Sequence, residues 1–274
     1  MLFFGKAGQE NLSKIKVVIV GVGGIGSHIA QQIAFLGINN ICLIDNDPLD
    51  ETNKNRLIGV FDADKEGMRK IDIGARLILS INPKCNVISI NESVPSEATL
   101  NVLKDSGFIF GCADNDGARL FLNQLALAYN IPYIDSASDI SLENKEFGGR
   151  VIFIDGENGC LHCLEELDPN EARYFLENTN ARKDQKAIYG IPKEEISAGG
   201  PSVVSLNGII ASLAVTEFIA YTTQIRDPFL FSTYYGSRGI VSTRQVEKNK
   251  ECFYCNKIKG LKDKAGLEQF FSKL

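Results

Sequence analysis

Lys16-Val-Val-Ile-Val20 runs straight into Gly21-Val22-Gly23-Gly24-Ile25-Gly26, and those glycines open a helical pattern over residues 27–36. An apolar run, a glycine turn and a helical period spell strand, tight turn and helix. Glycines placed this way let backbone N–H groups approach a phosphate at a helix N-terminus, where the macrodipole also favours negative charge. A second apolar run, Ile41-Cys-Leu-Ile-Asp45, ends in an acid nineteen residues after Gly26. That is the usual separation for a carboxylate gripping a ribose hydroxyl. Alone, this is a generic dinucleotide fingerprint, and it also fits a glycine turn that merely packs a helix on a strand.

Working outward, further apolar runs at 87–90, 108–110, 133–134 and 151–154 alternate with helical patterns at 70–79 and 119–129. The alternation predicts an α/β fold, a doubly wound, mostly parallel sheet of Rossmann-like type. Ligands of such a sheet sit beyond the carboxyl ends of the strands, where Gly21, Asp45 and Asp114 fall. Residues 164–197 are polar and punctuated by Pro169, Gly190 and Pro192, which predicts a short helix and then a long loop, functional or simply solvated. The apolar stretch 203–220 contains Asn207, Thr216 and Glu217 and reads as a buried core helix, not a membrane span. Two runs at 229–235 and 239–243 predict a small antiparallel extension of the sheet, and 256–274 reads as a Lys-rich helical tail.

The 274 residues, 44% of them hydrophobic, suffice for one large core or one core with an appended lobe. A net charge of −5 lacks the basic field that nucleic acid requires. Met1-Leu-Phe-Phe-Gly-Lys-Ala has neither the length nor the flanks of a signal peptide, and a soluble, cytoplasmic protein is expected.

The charged residues that follow the glycine loop narrow the reading. Asn53 and Arg56 come just after the ribose acid, Lys70 fourteen residues later, and Asp114 follows the run Gly107-Phe-Ile-Phe-Gly-Cys112. Hydride transfer gives this set no shared task. Two cations and an amide suit a triphosphate, which Arg grips bidentately and Lys as a point charge. An acid at a parallel strand's carboxyl end suits Mg²⁺, which prefers one or two carboxylates plus phosphate oxygens. Taken singly, each of these side chains reads as an ordinary surface charge.

Seven cysteines, an odd count in a chain that needs no disulfide staples, point to a reducing compartment. Cys160-Leu-His-Cys163 and Cys252-Phe-Tyr-Cys255 have the spacing of two zinc knuckles, which together close a tetrahedral site. The 88 residues between them exceed any compact ribbon, so spacing leaves two local redox pairs or buried free thiols open. His162 reads as a surface residue, Cys42 and Cys112 as small apolar residues of buried strands, Cys85 as incidental to a turn, and His28 as packing or solvated.

The segments GVGGIGSHIA and LIDNDPLDETNKNR, the lysine before a helix ending in Ile81-Asn-Pro83, and CADN followed by Arg119 resemble the ThiF/MoeB/HesA family of ubiquitin-activating-enzyme-like adenylyltransferases. The resemblance spans nearly the whole chain. It implies a single adenylation domain over 1–274, with a nucleotide-binding half at 1–155 and a substrate half at 156–274 that holds the crossover loop and the knuckles. It implies ATP bound by Gly21, Gly23, Gly24, Gly26, Asp45, Asp47 and Asn115, triphosphate polarised by Asn53, Arg56 and Lys70, and Mg²⁺ on Asp114. It implies Zn²⁺ on Cys160, Cys163, Cys252 and Cys255, since members carry such widely separated pairs, and a homodimer.

The substrate so implied is the C-terminal carboxylate of a small ubiquitin-like or sulfur-carrier protein, with a ribosomal peptide as the alternative. Two departures bear on this. No cysteine lies between Cys163 and Cys252, and Ser197 stands near the place where many relatives carry a thioester-forming cysteine, so a partner's thiol is the expected acceptor. The first arginine is Arg56, so Lys6 or Lys14 replaces the family's amino-terminal arginine or that contact is absent. A nicotinamide oxidoreductase and a non-catalytic ATP-binding scaffold are the readings from other classes.

Overall fold

Strand β1 (Lys16–Val20) lies between β2 (Asn40–Ile44) and β4 (Phe108–Gly111), parallel to both, in a computed structural model that describes residues 4–141, 145–176 and 202–271. Its side chains alternate between two cores. Val17 and Ile19 join one with Leu43, Phe108 and Phe110, while Val18 and Val20 join the other with Cys42, Ile44 and Ile109. A parallel strand covered on both faces has no polar side, which is why these runs read as continuously apolar.

The full sheet has eight strands in the order β3-β2-β1-β4-β5-β6-β7-β8, with β3 (Asn86–Ile90) at one edge. β5 (Tyr133–Ser141) is the last parallel member, and β6 (Glu146–Ile154), β7 (Phe231–Tyr235) and β8 (Ile240–Arg244) continue antiparallel. The chain winds outward from β1 to β3, then returns to β4 on the other side of β1. The strand order therefore reverses between β1 and β4, and the crevice beyond their carboxyl ends is the natural ligand site of such a sheet.

Helices α1 (Gly5–Lys14), α2 (Gly24–Phe35) and α3 (Lys70–Ile81) contribute to one core; α4 (Glu97–Leu103) and α5 (Asp116–Tyr129) build the other. After α6 (Pro169–Leu176), the long α7 (Val204–Thr223) packs against α1, α2, β5 and β6. It is the one helix among the described residues long and apolar enough to cross a membrane, and half of its apolar window is buried in this fold. Its buried Glu217 accepts two bonds from Arg226, at 2.7 and 2.8 Å, and the Phe229 N–H at 2.8 Å. The core-helix expectation holds.

Elsewhere the structure differs from the sequence expectation. α1 is mostly polar, with only Gly8 and Leu12 buried, and α4 rests on a seven-residue segment closed by a Ser96–Thr99 capping box. β5 and β6 form a nine-residue antiparallel hairpin whose outer half is only partly buried, so apolar patterning marks only its inner half. The tail is not a continuous helix. A π turn (Tyr254–Ile258) and two 3-10 turns (Lys262–Ala265 and Leu267–Phe270) are separated by Gly260 and Gly266 at φ +76° and +64°, a conformation that ends helices. Ser197 and most of the predicted crossover loop lie outside the described residues.

Candidate nucleotide-binding site and metal centre

The glycine loop is tight at its ends and open in the middle. Gly21 sits at φ +86°, and a Cβ there would lie 2.5 Å from the Cys112 carbonyl oxygen; one on Gly26 would lie 1.9 Å from the Gly21 carbonyl oxygen. A Cβ on Gly24 would meet the Asn207 amide at 2.1 Å, whereas one on Gly23 would meet nothing within 4 Å. The loop thus keeps an uncovered stretch of backbone at the start of α2, where first-turn N–H groups have no intrahelical partner. Open backbone, orphan donors and a helix N-terminus fit a phosphate.

Asp45, at the end of β2, fastens this loop. Its Oδ2 accepts the Val22 N–H at 2.6 Å and its Oδ1 accepts the Asp47 N–H at 2.8 Å. Burial pushes its carboxyl above the usual range, offset by the Lys70 ammonium and the two N–H donors. Each carboxylate oxygen retains a further lone pair for a ligand hydroxyl.

Lys70 arrives beside Asp45 and Asp47 through backbone pairing. Pro48 and Arg69 form a bridge, Leu49 N–H donates to the Met68 carbonyl at 2.6 Å, and Lys70 N–H donates to the Asp47 carbonyl at 3.3 Å. Its Nζ then lies 2.9 Å from Asp47 Oδ2, with the lysine side chain 11% exposed and the aspartate 58%. Between these strands of chain, Asp50 caps a 3-10 turn (Glu51–Asn53), accepting the Thr52 N–H at 2.7 Å, while Asn53 Oδ1 accepts the Asp50 N–H at 3.4 Å. Arg56 is half-buried and donates from Nη1 to the Thr52 carbonyl at 2.6 Å. Two residues later, the Ile58 N–H donates to Ser27 Oγ at 3.0 Å, which ties this excursion back to the first turn of α2.

On the other side of β1, the Cys112 N–H donates to the Val20 carbonyl at 2.8 Å, and Asp114 emerges exposed. Asn115 uses its Oδ1 to cap α5 through the Ala118 N–H at 2.8 Å, so its oxygen is committed to the helix. Cys112 itself lies one residue past β4 and is half-buried, not on the strand. The register pairs Val20 with both Ile44 and Gly111, which sets the glycine loop, Asp45 and Asp114 along one end of the sheet.

Beneath them is a polar group of which sequence reading named only Arg119, and that without a role. Arg119 holds Asp135 through two bonds, at 3.0 and 2.7 Å, and also reaches Asp116; Tyr133 donates to Asp135 at 2.9 Å. All four side chains are buried. Burial opposes the guanidinium charge of Arg119, but Asp135 outweighs it and leaves the arginine more firmly protonated. The signal was present: Asp135 ends Tyr133-Ile-Asp as Asp45 ends Leu43-Ile-Asp. Asn207 was likewise named only as a polar break in α7. Its amide is clamped over Gly24 between Ser138, which donates to Oδ1 at 3.0 Å, and Ser202, which accepts from Nδ2 at 2.9 Å.

The four knuckle cysteines converge. Cys160 lies 3.8 Å from both Cys163 and Cys252, and Cys163 lies 3.6 Å from Cys255, sulfur to sulfur; all four sulfurs fall within 4.8 Å of one another. A tetrahedron with Zn–S bonds of about 2.3 Å has sulfur–sulfur edges of about 3.8 Å, so the donor set fits a closed structural Zn²⁺ centre. His162 is exposed, stacks edge-on against Tyr254 at 5.1 Å between ring centroids, and is not in the cluster.

A Rossmann-like sheet, a glycine loop backed by a strand-end acid, Lys70 beside that acid and a four-cysteine cluster that could hold a metal ion define an α/β protein of the nucleotide-binding type. Residues 1–257 match the ThiF family, and the chain belongs to that family. It is 28% identical over 166 residues to the sulfur carrier protein ThiS adenylyltransferase of Bacillus subtilis, covering 60% of this chain and 48% of that protein. It is 25% identical over 256 residues to ubiquitin-like modifier-activating enzyme 5 of Drosophila mojavensis, covering 89% of this chain and 59% of that protein. The chain thus spans about half the length of these two relatives. Among solved structures, E. coli MccB with ATP superposes with a TM-score of 0.71 at 22% identity, covering 92% of this chain and 71% of that one. MccB with MccA-N7isoASN gives 0.73, covering 92% and 72%.

Proposed function

We propose that this chain is a single adenylation domain that uses ATP to activate a C-terminal carboxylate. The observation that carries the reading is the convergence, at the reversal of strand order, of an open glycine loop with Asp45, Lys70 and Asp114. The ThiF-family relatives named for adenylyltransfer and ubiquitin-like modifier activation support it.

In this reading the open backbone at Gly23 faces the phosphates, and the free lone pairs of Asp45 receive the ribose. Lys70 exchanges its ion pair with exposed Asp47 for a phosphate, and Arg56 and Asn53 turn from their local backbone partners to the triphosphate. Asp114 would hold Mg²⁺, which when bound neutralises phosphate charge beside the reacting carboxylate. The carboxylate oxygen forms a bond to the α-phosphorus, the bond to pyrophosphate breaks, and an acyl-adenylate results. The chain's share of catalysis is alignment and charge neutralisation.

The substrate proposed is a ubiquitin-like or sulfur-carrier protein with a flexible tail, and the acyl acceptor is a partner's thiol. The cysteines outside the metal cluster support an external acceptor, because burial disfavours their thiolates: Cys42 is pushed up to about 12, and Cys85 and Cys112 are also raised. A ribosomal peptide is the second reading, favoured by the lack of any cysteine between Cys163 and Cys252. We also read the chain as a cytoplasmic homodimer; a groove of about 430 Å³ between α2 and α7, lined by His28, Ile209 and Leu213, is a face that a second copy would cover.

Isotope exchange between pyrophosphate and ATP tests the function. Exchange that depends on a carboxylate-terminated protein or peptide is expected. Nucleotide binding with no exchange for any such substrate would leave a scaffold, and reduction of a nicotinamide would refute the reading outright.

A further inference from the structure

Asn123 lies on α5, two turns beyond the Asn115 cap, and is fully buried. Its Oδ1 accepts the N–H of Leu161 at 3.0 Å, which pins the backbone of the first knuckle beside Cys160. Its Nδ2 is buried as well and has no hydrogen-bond partner among the described residues. Buried amide donors are rarely left alone. The N–H that it holds belongs to the residue after Cys160, which sets this buried amide beside that ligand, and Asn123 favours the Cys160 thiolate.

We propose that Asn123 is the outer hydrogen-bond donor to the Cys160 thiolate of the zinc centre. One amide then sets both the knuckle's backbone, through Oδ1, and the ligand's charge and direction, through Nδ2. Partners of this kind orient metal ligands and tune their donor strength. The geometry also makes α5, whose first turn follows Asp114, a wall of the metal site. Asn123 is a positioning residue: it acts through Cys160 and touches no substrate. The inference rests on the four-cysteine zinc centre and is independent of adenylation, so the loss of either reading leaves the other standing.

The test uses the zinc-loaded full chain, wild type and Asn123→Asp. The variant keeps an oxygen for the Leu161 N–H and replaces the donor facing sulfur with an acceptor. Zinc transfer to an excess of chromogenic chelator should be about 10–100-fold faster in the variant. After Co²⁺ substitution, the thiolate-to-metal charge-transfer band should move to lower energy, which loss of packing alone does not produce. Wild-type release and an unmoved band in a folded Asn123→Asp protein would overturn the proposal. Should that variant not fold, wild-type protein loaded with NMR-active cadmium decides. Coupling between the metal and the Asn123 amide across the hydrogen bond supports it, and absence of that coupling in a spectrum that resolves other N–H···S couplings overturns it. A folded chain that purifies with no zinc removes both this proposal and the metal centre.

Discussion

Asp114 lies just past β4 and Asp135 lies within the neighbouring β5, and the structure assigns these two acids opposite consequences on removal. Asp114 is exposed, and among the described residues its side chain has one hydrogen bond, a long one, at 3.5 Å from Asn115 Nδ2. Asp114→Ala should therefore change stability by no more than about 0.5 kcal/mol, the range of ordinary surface substitutions. If Asp114 anchors Mg²⁺ beside the reacting phosphate, a charge-assisted contact worth about 1.5–3 kcal/mol disappears, together with the metal's effect on the transition state. Each 1.4 kcal/mol is about tenfold in rate, so substrate-dependent pyrophosphate exchange should fall at least about a hundredfold. Asp135→Ala removes two acceptors of a buried guanidinium, leaving it Asp116, and also the partner of Tyr133. Breaking a buried pair from one side costs about 3–5 kcal/mol, which a denaturant midpoint reads directly. Asp139→Ala, an exposed acid that accepts the N–H of its neighbour Ile140, is the control for both assays. Equal exchange by Asp114→Ala and Asp139→Ala would refute the mechanism, and a stable Asp135→Ala would refute the electrostatic account of the core.

The other predictions probe the metal, the loop and the acid limb of stability. Purified protein should carry about one Zn²⁺ per chain, and Cys163→Ser should release it and lower the melting temperature, measured by metal analysis and calorimetry. Gly23→Ala should fold normally but weaken ATP binding in calorimetric titration, because its Cβ enters only the open side of the loop; Gly26→Ala should lose soluble folded protein, because the Gly21 oxygen occupies that space. Arg76 holds the Asp64 carboxyl down to about 2 through a bidentate contact at 2.7 and 2.6 Å. A depressed carboxylate stabilises the fold above its unfolded pKa of about 3.9 and loses that contribution as pH falls through its folded value. Denaturant unfolding between pH 4 and 2 should accordingly be flatter in Asp64→Asn than in wild type.

What the sequence made legible divides along physical lines. Strands β1, β2 and β4 are covered on both faces, so their hydrophobicity is uninterrupted and their limits nearly readable. Asp45 and Lys70 could be singled out because they follow a glycine loop at fixed distances, and they do meet near Asp47. Arg56 was legible as a cation, but its present contact is the Thr52 carbonyl, and no linear pattern reports a local backbone partner. Asp135 and Arg119 meet across sixteen residues of helix and turn, a contact created by packing. α1 escaped notice because two buried residues do not make an apolar stripe. The tail misled because its lysines favour helix while two glycines in left-handed conformation cut it into single turns.

The four-cysteine cluster joins positions ninety-two residues apart, Cys160 with Cys252 and Cys163 with Cys255. Seen from the unfolded chain, an ion held there is a removable cross-link around α6, α7, β7 and β8. A permanent link closing a loop of that size lowers the entropy of the unfolded chain by about 4–5 kcal/mol at room temperature. A metal clip confers that restraint only while it is occupied. With zinc as that ion, the half of the chain that carries α7, and with it the Asn207 amide seated over the glycine loop, would draw part of its stability from the free zinc concentration around it. A zinc-starved preparation should lose this half's order before the central parallel strands lose theirs.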